Sequence, residues 1–205
     1  MSEKGFFVVF EGIDGSGKSS LARLFCRKMQ QAGLDPLATR EPTESRWGKK
    51  IRNLARNRTS IPVSEELNLF QQDRSWHVRQ VIRPALKAGR LVVSDRYYHS
   101  TACYQGARGL DMNEILEKNA VFAPVPDLVF IIDVPVNLAL ERIRNNRENI
   151  DRLFENAAFL ETVRNNYLLL SGPNLVKLDG SGTLDGVFNL VSSVFLERFP
   201  CHPAD

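Results

Sequence analysis

The strongest chemical signal in the chain is Gly12-Ile13-Asp14-Gly15-Ser16-Gly17-Lys18-Ser19, which fits the pattern of Gly, four residues, then Gly-Lys-Ser. Glycines so placed let backbone N–H groups turn inward onto anionic oxygens. A helix opening directly behind them adds the positive end of its dipole. Lys18 then serves as a point charge for the β and γ phosphates of a nucleoside triphosphate, and the Ser19 hydroxyl as a ligand for Mg2+. The loop and the adjoining Ser20 form the candidate triphosphate site. A chance match in a glycine-rich turn would not require a strand before it and a helix after it. The apolar run Phe6 to Phe10 and the periodic stretch that begins at Lys18 supply both.

A second constellation is Val92-Val93-Ser94-Asp95-Arg96-Tyr97-Tyr98. It sets an Asp-Arg pair at the end of a buried strand, and open α/β sheets bind ligands at the carboxyl ends of their strands. Asp95 there suits magnesium or its water, and Arg96 suits a phosphate. The alternative is a plain salt bridge at a strand end. No Asn-Lys-x-Asp guanine motif occurs, which disfavours a GTPase, and 205 residues leave little room for the modules of a motor. A kinase of small molecules remains.

These residues need a scaffold that brings several strand ends together. Apolar runs at Phe6–Phe10, Leu91–Ser94, Leu128–Val134 and Leu175–Leu178 read as strands, with a weaker one at Asp35–Thr39. Between them, apolar residues recur at helical spacing in Lys18–Ala32, after Val136, around Leu160 to Leu170 and from Leu184 to Phe195. Arg46–Asn57 reads as a polar helix. Ser64 is expected to cap a long helix with Glu65 and Glu66 in its first turn. Pro84 is expected to kink or break that helix. Asp111-x-x-Glu114 reads as a capping box for a helix to Phe122. Strands separated by helices imply a parallel sheet covered on both faces. Arg144 to Asp151 lacks apolar periodicity and reads as a solvated helix end or a lid.

Composition sets the class without naming the function. Hydrophobic residues at 43% and charged residues at 25% match an ordinary globular protein with enough apolar surface for a core. Cys26, Cys103 and Cys201 are widely spaced, with no C-x-x-C pair, so neither a zinc site nor a disulfide framework is expected. The net charge of +3 comes without a dense basic run, so nucleic acid is not an expected partner. No stretch approaches the roughly 18–20 apolar residues of a membrane span. The N-terminal apolar run is too short for a signal peptide. The expectation is a cytoplasmic protein with neither membrane nor nucleic-acid partners.

Further pieces complete a pattern. Phe10-Glu11-Gly12-Ile13-Asp14-Gly15-Ser16-Gly17-Lys18-Ser19, Thr39-Arg40-Glu41-Pro42, Leu69-Phe70-x-x-Asp73-Arg74, Asp95-Arg96-Tyr97-Tyr98-x-Ser100 and Tyr104-Gln105 follow one another along the chain. In order and spacing this set resembles the thymidylate kinase family, P-loop kinases that phosphorylate dTMP with ATP. The resemblance runs over nearly the whole chain. It implies the P-loop kinase fold: a five-stranded parallel sheet with helices on both faces and a short lid at about 142–152, all in a single domain over 1–205. It also implies ATP and Mg2+, and a homodimer.

The resemblance assigns roles residue by residue. Asp14 would accept a hydrogen bond from the 3′-hydroxyl of dTMP; a loop built only for phosphate has no need of a carboxylate there. Phe70 would stack on thymine, and Arg74, one turn later on the same helix face, would meet a base carbonyl. Arg40 and Arg96 would grip the acceptor phosphate. Tyr104 would sit against the deoxyribose and crowd a 2′-hydroxyl, with Ser100 and Gln105 fixing the base. Arg142 would stack on adenine, and Gly180-Ser181-Gly182-Thr183 would close over its other side. Family members carry a catalytic arginine either in the phosphate loop or in the lid. Here the loop has Ser16, so the lid must supply it; of Arg144, Arg147 and Arg152, Arg147 is the choice. Lys18, Asp95, Arg96 and Arg147 are therefore the candidate catalytic set, with Ser19 and Asp95 for the metal. No histidine base is required, because the acceptor phosphate has a second pKa of about 6.

The chain also departs from the family. Thr43-Glu44 stands where many bacterial members have two glycines, and Gln72 and Cys103 stand where alanine is common. These departures bear on substrate selectivity. The rival readings are another nucleoside monophosphate or deoxynucleoside kinase, and a P-loop binding protein without turnover.

Overall fold

The computed structural model describes residues 5–57, 59–145 and 157–199. Five strands, β1 (Phe6–Glu11), β2 (Pro36–Arg40), β3 (Leu91–Asp95), β4 (Leu128–Asp133) and β5 (Leu175–Asp179), form one parallel sheet in the order β2-β3-β1-β4-β5. The connection from β1 leads to the β2 side, and that from β3 returns to the β4 side. Strand order thus reverses about β1, which is where ligands bind in such sheets.

Alternation within β1 shows why both faces are covered. Phe7 and Val9 point to one face, Val8 and Phe10 to the other, and all four are fully buried. The Phe10 face packs on α1 (Lys18–Gln31) and α9 (Leu184–Arg198) through Leu21, Phe25, Val187, Val191 and Phe195. The rings of Phe10 and Phe130 stack at 5.3 Å on that side. The Phe7 face packs on Val78, Ile82, Tyr97, Leu160, Val163 and Tyr167. Each such side chain contributes about 1.5–3 kcal/mol when fully buried.

Secondary elements follow the sequence closely, with two differences. Helix α3 (Val63–His77) is capped by Pro62, not Ser64, which lies inside the first turn beside Glu65 and Glu66. The expected interruption at Pro84 takes the form of a wide π turn at Val78–Ile82, which links α3 to the short α4 (Arg83–Lys87) with Pro84 in its first turn. Helix α5 (Tyr98–Gly106) was not expected. It is buried almost all round, so no amphipathic stripe marks it in the sequence. The others are α2 (Arg46–Asn57), α6 (Met112–Ala120), α7 (Val136–Asn145) and α8 (Ala157–Leu169). Asp111 caps α6 as expected, accepting from the backbone N–H of Asn113 and Glu114. No helix among the described residues is long and apolar enough to cross a membrane.

Candidate active site

The phosphate loop joins β1 to α1. Gly17 precedes α1 with φ 93°, a left-handed conformation that only glycine adopts without strain. At Gly15 a side chain is excluded for a second reason: a Cβ would stand 2.2 Å from the Ala139 carbonyl oxygen of α7. The loop thereby lies close against α7. Lys18 is buried, with Nζ donating to the Ile13 carbonyl at 3.3 Å and lying 3.6 Å from Asp14 Oδ1. Burial, and then the nearby Arg96 cation, lower its pKa from the usual lysine value. Both effects make an anion welcome at the ammonium. The Ser16 hydroxyl is buried without a hydrogen-bond partner.

Arg96 spans the cleft from the end of β3. Its Nη1 donates to Ser100 Oγ at 2.8 Å and to the Gly12 carbonyl at 3.3 Å. Its Nη2 donates to Asp14 Oδ1 at 2.7 Å and to the Tyr104 hydroxyl at 3.2 Å. Arg96 alone among the described non-glycine residues has positive φ, at 73°. That conformation is unfavourable for a side chain with a Cβ, and the structure holds it by the bond from Arg96 N to the Phe10 carbonyl at 2.9 Å. Burial works against the charge, but Tyr104 and Asp14 beside it keep the guanidinium protonated far above its usual range. Crowding by neighbouring groups opposes the charge on Asp14, whose side chain is still 60% exposed, but the Arg96 and Lys18 cations hold its carboxyl well below the usual carboxylate range. Burial pushes the Tyr104 hydroxyl up to about 12, so it remains a donor to Asp14 Oδ2 at 3.2 Å.

A cavity of about 1410 Å3 opens above these groups. Ligand pockets commonly run to about 300–1,000 Å3, so this one has room for two nucleotides. The phosphate loop is part of its lining, and the other lining residues fall into two groups that mark two lobes. Arg142, Gly180 and Gly182 line the lobe beside α7 and α9. Arg142 Nη2 donates to the Gly180 carbonyl at 2.9 Å, which joins the residues expected to enclose adenine. Arg40, Phe70, Ser100, Tyr104 and Gln105 line the other lobe. Gln105 is buried, and its Oε1 has no hydrogen-bond partner. A buried unpaired oxygen on a cavity wall is a vacancy for a donor.

Some expected site residues lie elsewhere. Arg74 does not line the cavity and is only 1% exposed. Its Nε and Nη2 donate to Glu41 Oε2 at 3.0 and 2.6 Å, its Nη1 to Asn119 at 2.8 Å, and Nη2 also to Thr101 at 2.9 Å. In this structure its guanidinium belongs to a closed ion pair beside the cavity lining. Asp95 ends β3 behind the wall, with Oδ1 buried and unpartnered. Ser100 holds Arg96 by its hydroxyl instead of facing the base alone. Arg40 lines the cavity, but its exposed side chain pairs with Glu44 at 3.0 Å. Arg144 belongs to α7. Arg147, Arg152 and most of the expected lid lie outside the described residues, as does His202.

The departures find local reasons. Thr43 donates through N and Oγ1 to buried Asp73, at 2.8 and 2.5 Å. Gln72 donates to Asn68, one turn back, and does not line the cavity. Cys103 is fully buried in the core and does not line the cavity. Neither Gln72 nor Cys103 therefore touches the acceptor lobe. Burial, then Arg74, lowers the pKa of His99 to about 3, so it is neutral and idle. His77 links Thr39 to Glu41.

Two residues at the centre of the site received no role from the sequence. Glu11 and Tyr167 both bond the Ser100 hydroxyl. Glu11 does carry a visible signal, for it is a carboxylate ending an otherwise apolar strand. Tyr167 reads only as one apolar position of an amphipathic helix.

A parallel sheet, a glycine-rich loop running into a helix with a buried lysine, and a cleft with two lobes define a phosphotransferase of the P-loop kinase class. Comparison with known proteins narrows the class. The family model described as thymidylate kinase matches residues 10–191. A thymidylate kinase of Desulfotalea psychrophila is 42% identical over 183 residues, which covers 89% of this chain and 90% of that protein. One of Akkermansia muciniphila is 40% identical over 96% of this chain and 94% of its own length. A probable thymidylate kinase of Pyrococcus horikoshii is 42% identical over 82% and 83%. The chain belongs to the thymidylate kinase family.

Proposed function

We propose that this protein transfers the γ-phosphoryl group of ATP to dTMP, giving dTDP and ADP. The observation that carries the reading is the single cavity whose two lobes meet at Lys18, Asp14 and Arg96. A kinase must bring two anions together in line while excluding water. The phosphate loop offers Lys18 and the start of α1 to the triphosphate. Arg142 and the 180–183 loop hold its adenine end. On the other side Phe70 offers a stacking face, and Gln105 Oε1 an acceptor for a base N–H. Tyr104 narrows the space beside the sugar. Arg96 draws the acceptor phosphate toward the loop.

The donor set fits Mg2+, a hard cation that keeps several waters and takes one or two protein oxygens. Ser19 lines the triphosphate end of the cavity. Asp95 does not line the cavity, and its unpartnered Oδ1 at the end of β3 would accept from a water of the ion that reached behind the lining. When bound, the ion neutralises charge on the β and γ phosphates. Lys18 and Arg96 supply the rest of the cationic shell, with Arg147 as the lid contribution. No side chain needs to remove a proton, since the acceptor phosphate is already ionised near neutral pH. Membership of the family supports a homodimer acting in the cytoplasm.

The test is ADP release from ATP·Mg2+ with a panel of nucleoside monophosphates. Release with dTMP at least tenfold faster than with dUMP, dCMP, dGMP or AMP is expected. Equal rates across the panel would replace dTMP with a broader substrate class. No release above the ATP-only rate would leave a binding protein.

A further inference from the structure

We propose that Glu11 is a positioning residue for the acceptor phosphate, acting through Ser100 to aim Arg96. This rests on the assignment of the acceptor lobe above. Glu11 itself is completely buried and does not line the cavity. Its carboxylate stands behind Ser100, with Arg96 in front.

The hydrogen bonds around it have one direction. Oε1 accepts from the backbone N–H of Tyr97 at 2.8 Å and of Ser100 at 3.2 Å. Oε2 accepts from Ser100 Oγ at 2.6 Å and from the Tyr167 hydroxyl at 2.9 Å. A hydroxyl has one proton and two lone pairs. With the Ser100 proton on Glu11, its lone pairs face Arg96 Nη1, which donates to it at 2.8 Å, and the Tyr167 hydroxyl, also 2.8 Å away. The same two backbone bonds pin the first turn of α5 directly after Arg96. Glu11 thereby sets both the backbone beyond the left-handed residue and the acceptor that its guanidinium meets. His99 Nδ1 lies 3.8 Å from Oε1, but His99 is neutral and leaves the carboxylate to Arg96.

Replacement by glutamine makes the point sharp. Oε1 faces two backbone N–H groups, which only donate, whereas Oε2 faces two hydroxyls, which can also accept. An amide must turn its NH2 toward one of these pairs, so either Ser100 loses its acceptor or the α5 backbone loses its own. The change preserves shape and removes direction.

The experiment is steady-state kinetics on wild type, Glu11→Gln, Ser100→Ala and the double variant, with thermal melts alongside. Each single change should lower kcat/KM for dTMP on the order of tenfold to hundredfold, the usual range for groups that orient a site residue. KM for ATP should stay within about twofold, and the double variant should be no worse than the weaker single variant. Equal losses for both substrates, or losses that multiply in the double variant, would overturn the proposal. Should Glu11→Gln fail to fold, Ser100→Ala must still show the split between substrates. A second readout needs no substrate: the 15Nη signals of Arg96 should be resolved in wild type and averaged by rotation in both variants. Signals unchanged in the variants would overturn the proposal. Wild type that turns over dTMP beside unaffected variants defeats this inference alone. Wild type inert toward dTMP defeats the functional assignment, and the Arg96 signals then decide this one.

Discussion

Asp14 Oδ1 lies 2.7 Å from Arg96 Nη2, joining the phosphate loop to the end of β3 across 82 positions of sequence. The Tyr104 hydroxyl bonds both partners. A carboxylate inside a phosphate loop would repel phosphate if it faced the triphosphate. Here it faces the acceptor lobe and is neutralised by Arg96 and Lys18.

The sign of its titration gives the first prediction. The folded pKa of Asp14 lies below the unfolded value of about 3.9. Its contribution is therefore complete above that value and is lost as pH falls through the folded pKa. Asp14 does not change charge between about pH 5 and 9. Asp14→Asn should lower kcat/KM for dTMP about tenfold, the loss of roughly one charge-assisted bond, without altering the shape of the pH–rate profile in that window. An acid limb that disappears in the variant would show that Asp14 titrates during turnover.

Lys18 is held by few groups of its own, the Ile13 carbonyl and Asp14. Its work is on the ligand. Lys18→Ala should lower kcat by roughly 10²–10³-fold or more, as removal of a preorganised charge does, with an unfolding midpoint close to wild type. Full activity in a steady-state assay would remove the phosphate loop from the chemistry.

Arg74 separates a structural role from a base contact. Its guanidinium neutralises Glu41 in the interior and lies 5.5 Å over the Tyr97 ring. Desolvation opposes the charge on Glu41, but Arg74 and then His77 keep its carboxyl below the usual range. Removing one partner of a buried pair costs about 3–5 kcal/mol. Arg74→Ala should lose that much stability in denaturant unfolding and should weaken both substrates together. A loss under about 1 kcal/mol, well below that range, with selective loss of dTMP binding, would return Arg74 to the base contact.

Much of this was legible in the sequence, and the reasons differ by residue. Lys18, Ser19 and Arg96 could be placed because a short motif fixes them to a strand end, and a parallel sheet gathers strand ends. Four strands are visible as short apolar runs, and β2 only weakly, since Asp35–Thr39 is half polar. Helix α5 is not, since burial on every side erases its stripe. Arg74 reads correctly as sharing a helix face with Phe70, yet spacing says nothing about which neighbour that face meets. Glu41, a distant residue, takes the guanidinium. Glu11 stands inside a motif that assigns it no task, because its partners Ser100 and Tyr167 lie 89 and 156 positions away.

The missing loop arginine makes a claim on the lid. Ser16 occupies the loop position and cannot supply a cation. Arg147→Ala should reduce kcat by on the order of 10²-fold, the scale for a group that meets charge only in the transition state, with KM for both substrates nearly unchanged. An unaffected kcat would transfer the role to Arg144 or Arg152, to be separated by the same substitution at each.

Arg142 should behave in the opposite way. Its Nη2 donates to the carbonyls of Gly180, Ser181 and Gly182 at 2.9, 3.3 and 3.4 Å, and its Nη1 to the Ser16 carbonyl at 3.4 Å. One guanidinium thus ties the loop after β5 to the phosphate loop and holds open the lobe between them. That geometry exists before any phosphoryl transfer, so it serves ground-state binding more than the transition state. Arg142→Ala should raise KM for ATP about tenfold, roughly 1.4 kcal/mol, with kcat within threefold and KM for dTMP unchanged. Arg142→Lys should recover only part of the loss, since a single ammonium cannot fork between carbonyls on two loops. Full recovery with lysine would mean that charge alone matters there. An equal rise in KM for dTMP would mean that Arg142 supports the whole cleft and not its adenine end.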